Sequence, residues 1–165
     1  WTGRGQGFQP PAGDDAFYFP NGAPFAKLDE VSSSWPPDEA RASAIRFGGY
    51  RLDGKQRPSF TYYFGKAKIT DYPKPMGSEA DLALVREITI EQNGENLEGL
   101  VFRAGIGAVE RKEGFVLAKQ ILCKVEGAEA IMVQKSGNAR ADGDLRIPLT
   151  AVNGKAKIKL TYSWI

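Results

Sequence analysis

The 165-residue chain has no histidine and a single cysteine, and these two absences exclude more chemistry than any motif supplies. Without histidine there is no Ser-His-Asp or Cys-His nucleophile system, no His-ligated metal and no c-haem attachment. Cys123 has no second cysteine to pair with, so no disulfide forms within the chain. In Gln120-Ile-Leu-Cys-Lys-Val125 it alternates with Ile121 and Val125, the pattern of a buried thiol; a reactive one needs an electropositive, partly open setting. Charge of one sign is also lacking. Twenty-two basic and 20 acidic residues leave a net charge of +2, so no nucleic-acid partner is expected. No apolar run reaches the roughly 18 residues needed to span a bilayer, and the chain is expected to have no transmembrane segment of its own. It begins at Trp1 with no secretory signal visible, which fits a processed product, a fragment or an excised domain.

Turn residues, by contrast, are abundant: 19 glycines and 10 prolines. Residues 1–14 are rich in both without periodicity and read as an extended arm or linker before a domain over 15–165. Ser32 to Ala42 is the one segment suited to a short helix, with serines upstream, Pro37 in the first turn and Asp38 and Glu39 complementing its dipole. From residue 43 onward the hydrophobic period is two. Phe60, Tyr62 and Phe64 share a face, and so do Leu82, Leu84, Ile88 and Ile90, interrupted only by Arg86. Further short strands are expected at Leu97–Ala104, Gly114–Ala118, Ile121–Val125, Ala130–Gln134 and Leu145–Leu149, where Pro148 marks an edge or a strand end. The last segment alternates most cleanly: Ala156, Ile158, Leu160, Tyr162 and Trp164 against Lys155, Lys157, Lys159, Thr161 and Ser163. Asp53-Gly54, Asn93-Gly94, Asp142-Gly143 and Asn153-Gly154 provide the positive φ angles of tight hairpins. About ten short strands at this spacing predict an all-β fold, an antiparallel two-sheet β-sandwich with at most one short helix.

The segment Phe47-Gly-Gly-Tyr-Arg-Leu-Asp-Gly-Lys-Gln-Arg-Pro-Ser-Phe-Thr-Tyr62 is followed by Ile69-Thr-Asp-Tyr-Pro-Lys-Pro75, Leu84-Val-Arg-Glu-Ile-Thr-Ile90 and Leu100-Val-Phe-Arg-Ala-Gly105, and the chain closes with Lys155-Ala-Lys-Ile-Lys-Leu-Thr-Tyr-Ser-Trp164. This order, over about residues 23 to 165, resembles a β-sandwich domain of large exported bacterial proteins that also carry c-type cytochrome and sugar-dehydrogenase-like propeller domains. Those haem-bearing proteins have a separate Cys-x-x-Cys-His segment, which this chain lacks. The resemblance therefore implies a periplasmic or extracellular setting and a modular role beside cytochrome or electron-transfer partners, and it transfers no activity.

No cofactor and no catalytic residue are expected. Asp53 belongs to the hairpin turn, where its carboxylate accepts nearby backbone amides. The pairs Asp14-Asp15, Asp29-Glu30 and Asp38-Glu39 lie in loop-like or helix-start sequence, and Asp142-Gly-Asp144 lacks the spacing and closing glutamate of a calcium loop. Arg86 is expected to reach an internal carboxylate, Asp53 or Asp71, since it interrupts an apolar face. Phe60, Phe64, Tyr162 and Trp164 read as core. Tyr18, Trp35, Tyr63 and Tyr72 lie in loops or on the opposite face and, with Asp71 as a rim residue, are the candidate interaction residues. Trp35, held by Pro36 and Pro37, is the foremost of them. The expected role is a non-catalytic structural or interaction module within a larger complex or parent chain. The alternative is a carbohydrate-binding module that stacks sugars on exposed aromatics.

Overall fold

The computed structural model describes residues 16–20, 22–36, 44–78, 81–134 and 143–165. The expected arm over 1–14, most of the expected helix (37–43) and the acids Asp14, Asp15, Asp38, Glu39 and Asp142 lie outside these residues. Residues 32–36 form a turn and irregular chain, and there is no α-helix among the described residues.

The described residues form eleven strands: β1 (Phe25–Lys27), β2 (Arg46–Leu52), β3 (Pro58–Phe64), β4 (Ala67–Met76), β5 (Ala83–Glu91), β6 (Leu100–Arg111), β7 (Gly114–Leu117), β8 (Ile121–Glu126), β9 (Ile131–Val133), β10 (Gly143–Pro148) and β11 (Lys155–Trp164). The all-β, antiparallel expectation is met. Among the described residues the hydrogen bonding runs in one path, β2-β3-β4-β5-β11-β8-β7-β6-β10-β9, with β1 added on β6. The sheet doubles back on itself, so that β3, β5 and β11 lie over β6. The Phe25 ring sits 5.1 Å from Tyr62 and 5.0 Å from Phe102, and the Tyr162 hydroxyl donates to the Ala104 carbonyl at 2.9 Å.

The period-two pattern explains which face is buried. Ile158, Leu160 and Tyr162 of β11 and Ile88 and Ile90 of β5 point inward together, in register, while Lys155, Lys157 and Thr89 face out. Strand β6 carries the doubled sheet across two bulges. Ala104 is the extra residue between pairs Arg146↔Arg103 and Leu145↔Gly105, and Gly107, at φ +70°, is the extra residue at the next shift. Bulges strengthen twist and bend a strand, which suits a sheet that must fold over. Burial is not purely apolar: Asp71, Arg86, Asp144 and Arg146 all lie inside. Of the aromatics expected in the core, Phe64 and Tyr162 are buried, Phe60 is half-buried, and Trp164, next to the last residue of the sequence, is 45% exposed.

Candidate functional site

Two features stand out, the β2–β3 hairpin and a cavity behind it. The hairpin turn is built by Asp53. Its Oδ1 accepts the backbone N–H of Lys55 at 2.8 Å and of Arg57 at 3.0 Å, while Oδ2 accepts from Arg57 Nε at 2.7 Å and the Tyr72 hydroxyl at 2.5 Å. The Tyr72 hydroxyl, with Arg57, holds the Asp53 carboxyl well below the usual carboxylate range, and the Tyr72 phenol is raised in return. This is the structural role expected of Asp53.

Strand β2 ends the sheet and pairs with β3 alone among the described residues. Its two glycines make a bulge. The register shifts between Phe47 and Gly49, Gly49 has φ +99°, and a Cβ on Gly48 would lie 2.5 Å from the Tyr63 ring. The bulge changes the parity of the strand, so Phe47, Tyr50 and Leu52 share one face opposite Tyr62, Phe60 and Pro58. All three are exposed, at 55%, 62% and 51%. Arg46 and Arg51 fall on the other face, opposite Tyr63 and Ser59. The strand thus presents an open edge, apolar on one side and cationic on the other.

The cavity, about 320 Å³, lies between the segment Phe19–Pro24 and the inner face of β3–β5. Phe60, Tyr62, Pro73 and Leu84 form apolar walls, and Asp71, Arg86 and Arg103 line it as well. Asp71 and Arg86 are diagonal neighbours across β4 and β5. The Arg86 guanidinium forks onto both Asp71 oxygens, with Nε at 3.2 Å, and its carbon lies 5.0 Å from the rings of both Phe19 and Phe102. Burial disfavours the charge on Arg86, but the adjoining Asp71 carboxylate outweighs it and the guanidinium is held more firmly protonated than usual. Burial, and Asp71 after it, raise the Tyr62 phenol.

A second buried cluster adjoins the first. Arg103 and Arg146 stand directly opposite each other on β6 and β10, a like-charge pairing that is unfavourable by itself. Asp144 relieves it by accepting from Arg103 Nη2 at 3.0 Å and from Arg146 Nη2 at 2.9 Å. Arg146 also donates to the carbonyls of Val31 and Ser33, which anchors the loop carrying Trp35. Both guanidiniums lie over the Trp35 ring, at 5.4 and 5.5 Å.

The structure scatters the candidate interaction residues. Tyr63 and Tyr72 share the outer sheet face, but Arg46 lies over Tyr63 at 4.3 Å, and Arg57 and Lys74 lie over Tyr72 at 5.6 and 5.4 Å. Asp71 faces the interior. Trp35 is half-buried against Ala26, Leu28 and Val101, clasped by the two arginines, and Tyr18 is exposed in the segment before β1. Phe47, Tyr50 and Leu52 are absent from the sequence-derived set, because simple alternation across Gly48-Gly49 puts Phe47 and Tyr50 on opposite faces. The glycine pair was the signal available. Among the described residues no group of three or more Cys, Asp or Glu is placed to hold a metal ion, and Asp144 is committed to its arginines.

Comparison of the chain with known protein families, with curated proteins and with solved structures found no match.

Proposed function

We propose that this chain is a non-catalytic interaction module that docks an extended segment of a protein partner by strand addition at β2. The observation that carries the reading is the row of exposed Phe47, Tyr50 and Leu52 along a strand whose outer edge is unpaired among the described residues. Such an edge offers backbone hydrogen bonds for affinity and alternate side-chain sites for specificity. Arg46 and Arg51 set the partner's chemistry. A second copy added antiparallel would bring these arginines together, so self-pairing is disfavoured. A segment alternating apolar residues with Asp or Glu would satisfy both faces. The non-catalytic part of the proposal draws support from Asp71 and Asp144, whose oxygens are all held by guanidiniums rather than poised to move a proton. The exported setting and the cytochrome or electron-transfer neighbours rest on the family resemblance. The carbohydrate alternative is less well supported, since Trp35, Tyr63 and Tyr72 each have a cation over the ring.

The test is the native mass of the chain in extract from its own source, followed by reconstitution with the partner so identified. Tyr50→Glu and Leu52→Asp should each weaken the complex by about 2 kcal/mol, roughly thirtyfold in Kd, as loss of a central contact does. A free species at 18.0 kDa in the extract, or a complex indifferent to both substitutions, would sink the proposal.

A further inference from the structure

The floor of the cavity behind the hairpin is charged but locally neutral. Asp71 and Arg86 lie on the inner face of β4 and β5 with Pro73 and Leu84, and all four line the cavity. The guanidinium forks onto the carboxylate and rests against the Phe19 ring, so the two charges cancel within the cavity wall. Arg103 borders the cavity too. Its backbone N–H donates to the Pro24 carbonyl at 2.8 Å, and its side chain is taken up by Asp144 and Trp35. Charge is matched at the floor, but hydrogen-bonding capacity is left over. A carboxylate has about four acceptor sites, and among the described residues the Asp71 oxygens receive one donor each, both from Arg86. The Asp71 side chain is only 4% exposed, so a group that meets its open acceptor sites must enter the cavity.

We infer that this cavity is a binding site for a small, neutral, planar aromatic molecule that carries an O–H or N–H donor, with Asp71 accepting that donor. The volume, about 320 Å³, lies at the small end of the roughly 300–1,000 Å³ of ligand pockets and suits a small ring system. Phe60 and Tyr62 supply flat walls for the ring, and Pro73 and Leu84 complete an apolar surface that gains by exchanging water for an apolar body. The Asp71–Arg86 pair sets the charge of the ligand. A carboxylate would lie against Asp71 and an ammonium against Arg86, and either would leave a charge out of water without a counter-ion. A neutral donor meets the carboxylate at no such cost. The lining shares no residue with the exposed row of β2, so the site stands or falls separately from strand docking.

Phenol and indole are the probes, beside their donor-free counterparts anisole and 1-methylindole and the charged rings benzoate and benzylammonium. Binding is followed by calorimetry and by the backbone amide resonances of Ala23 and Leu84 in proton–nitrogen NMR. Phenol or indole is expected to bind saturably in the millimolar range or better and to shift those resonances. It should exceed its donor-free counterpart and both charged rings by about tenfold, the increment of one hydrogen bond to a charged acceptor. Asp71→Asn, with a neutral acceptor in place of the carboxylate, should bring the preference for the donor down to about threefold. Leu84→Trp, which fills the cavity from the sheet side, should abolish binding and decides the matter if Asp71→Asn does not fold. Absence of saturation by both phenol and indole, equal binding of the donor-free counterparts, tighter binding of either charged ring, or binding undisturbed by Leu84→Trp overturns the inference.

Discussion

Removing one member of the Asp71–Arg86 pair tests whether the interior is held by matched charge. Asp71→Asn keeps the volume and one carbonyl acceptor but leaves the Arg86 guanidinium, 8% exposed, without its carboxylate. Orphaning a buried charge typically costs about 3–5 kcal/mol. The two rings flanking Arg86 remain in the variant, and cation–π contacts of this kind retain roughly 0.5–2 kcal/mol, which places the expected loss near the lower end, about 3 kcal/mol. That is a large share of the roughly 5–15 kcal/mol by which domains are stable. With a urea m-value of about 2 kcal/mol/M, the unfolding midpoint should fall by about 1.5 M at unchanged m. The double variant Asp71→Leu, Arg86→Met leaves no orphan and should recover to within about 1–2 kcal/mol of the parent. A midpoint shift below about 0.5 M for Asp71→Asn, or a double variant as unstable as the sum of the singles, would refute the reasoning.

Burial pushes the Cys123 thiol from its ordinary 9.0 up to about 12, so the folded protein holds that proton. Its contribution to stability is complete below pH 9.0 and is lost as the pH climbs toward 12; at pH 8 iodoacetamide should label the urea-unfolded chain rapidly and the buried thiol of the folded chain far more slowly, as read by mass spectrometry. Gly127 has φ +88°, and a Cβ there would meet the Lys157 backbone carbonyl oxygen at 2.5 Å. Gly127→Ala should therefore cost about 1–3 kcal/mol, seen as a lower Tm by circular dichroism, whereas Gly94→Ala, whose Cβ meets nothing, should bear only the smaller penalty of its positive φ.

Strong local signals were legible in the sequence. The closing strand folds with the faces its alternation assigns up to Tyr162, and Asp53 makes the turn its position implies. Where alternation breaks, the reading fails for an identifiable reason. A strand was expected over Leu97–Ala104; β6 instead starts at Leu100 and runs on to Arg111, because bulges at Ala104 and Gly107 absorb two irregular residues. Strand β10 was expected over Leu145–Leu149, with Pro148 marking an edge or a strand end, and it runs over Gly143–Pro148 between β6 and β9. It is buried on both faces, since Asp144 is paired with both Arg146 and Arg103. Likewise Trp35 reads as an exposed anchor locally, but its neighbours Arg103 and Arg146 are supplied from 68 and 111 positions away along the numbering (103 − 35 and 146 − 35). Alternation carries no information on partners at that range.

The aromatic contacts of the hairpin dictate which substitution tests strand docking most cleanly. Tyr50 lies 6.3 Å from Phe60 and Phe47 lies 5.4 Å from Tyr62, ring centre to ring centre. Phe60 and Tyr62 in turn form walls of the cavity, so a substitution at Phe47 or Tyr50 disturbs the interior as well as the open edge. Leu52 is different. It pairs with Pro58, outside the cavity lining, so Leu52→Asp perturbs the edge with the least effect on the interior. If Leu52→Asp releases the partner at an unchanged unfolding midpoint, the edge itself is the docking surface; if only Tyr50→Glu does so, and with a lowered midpoint, the loss is one of folding and the docking reading fails.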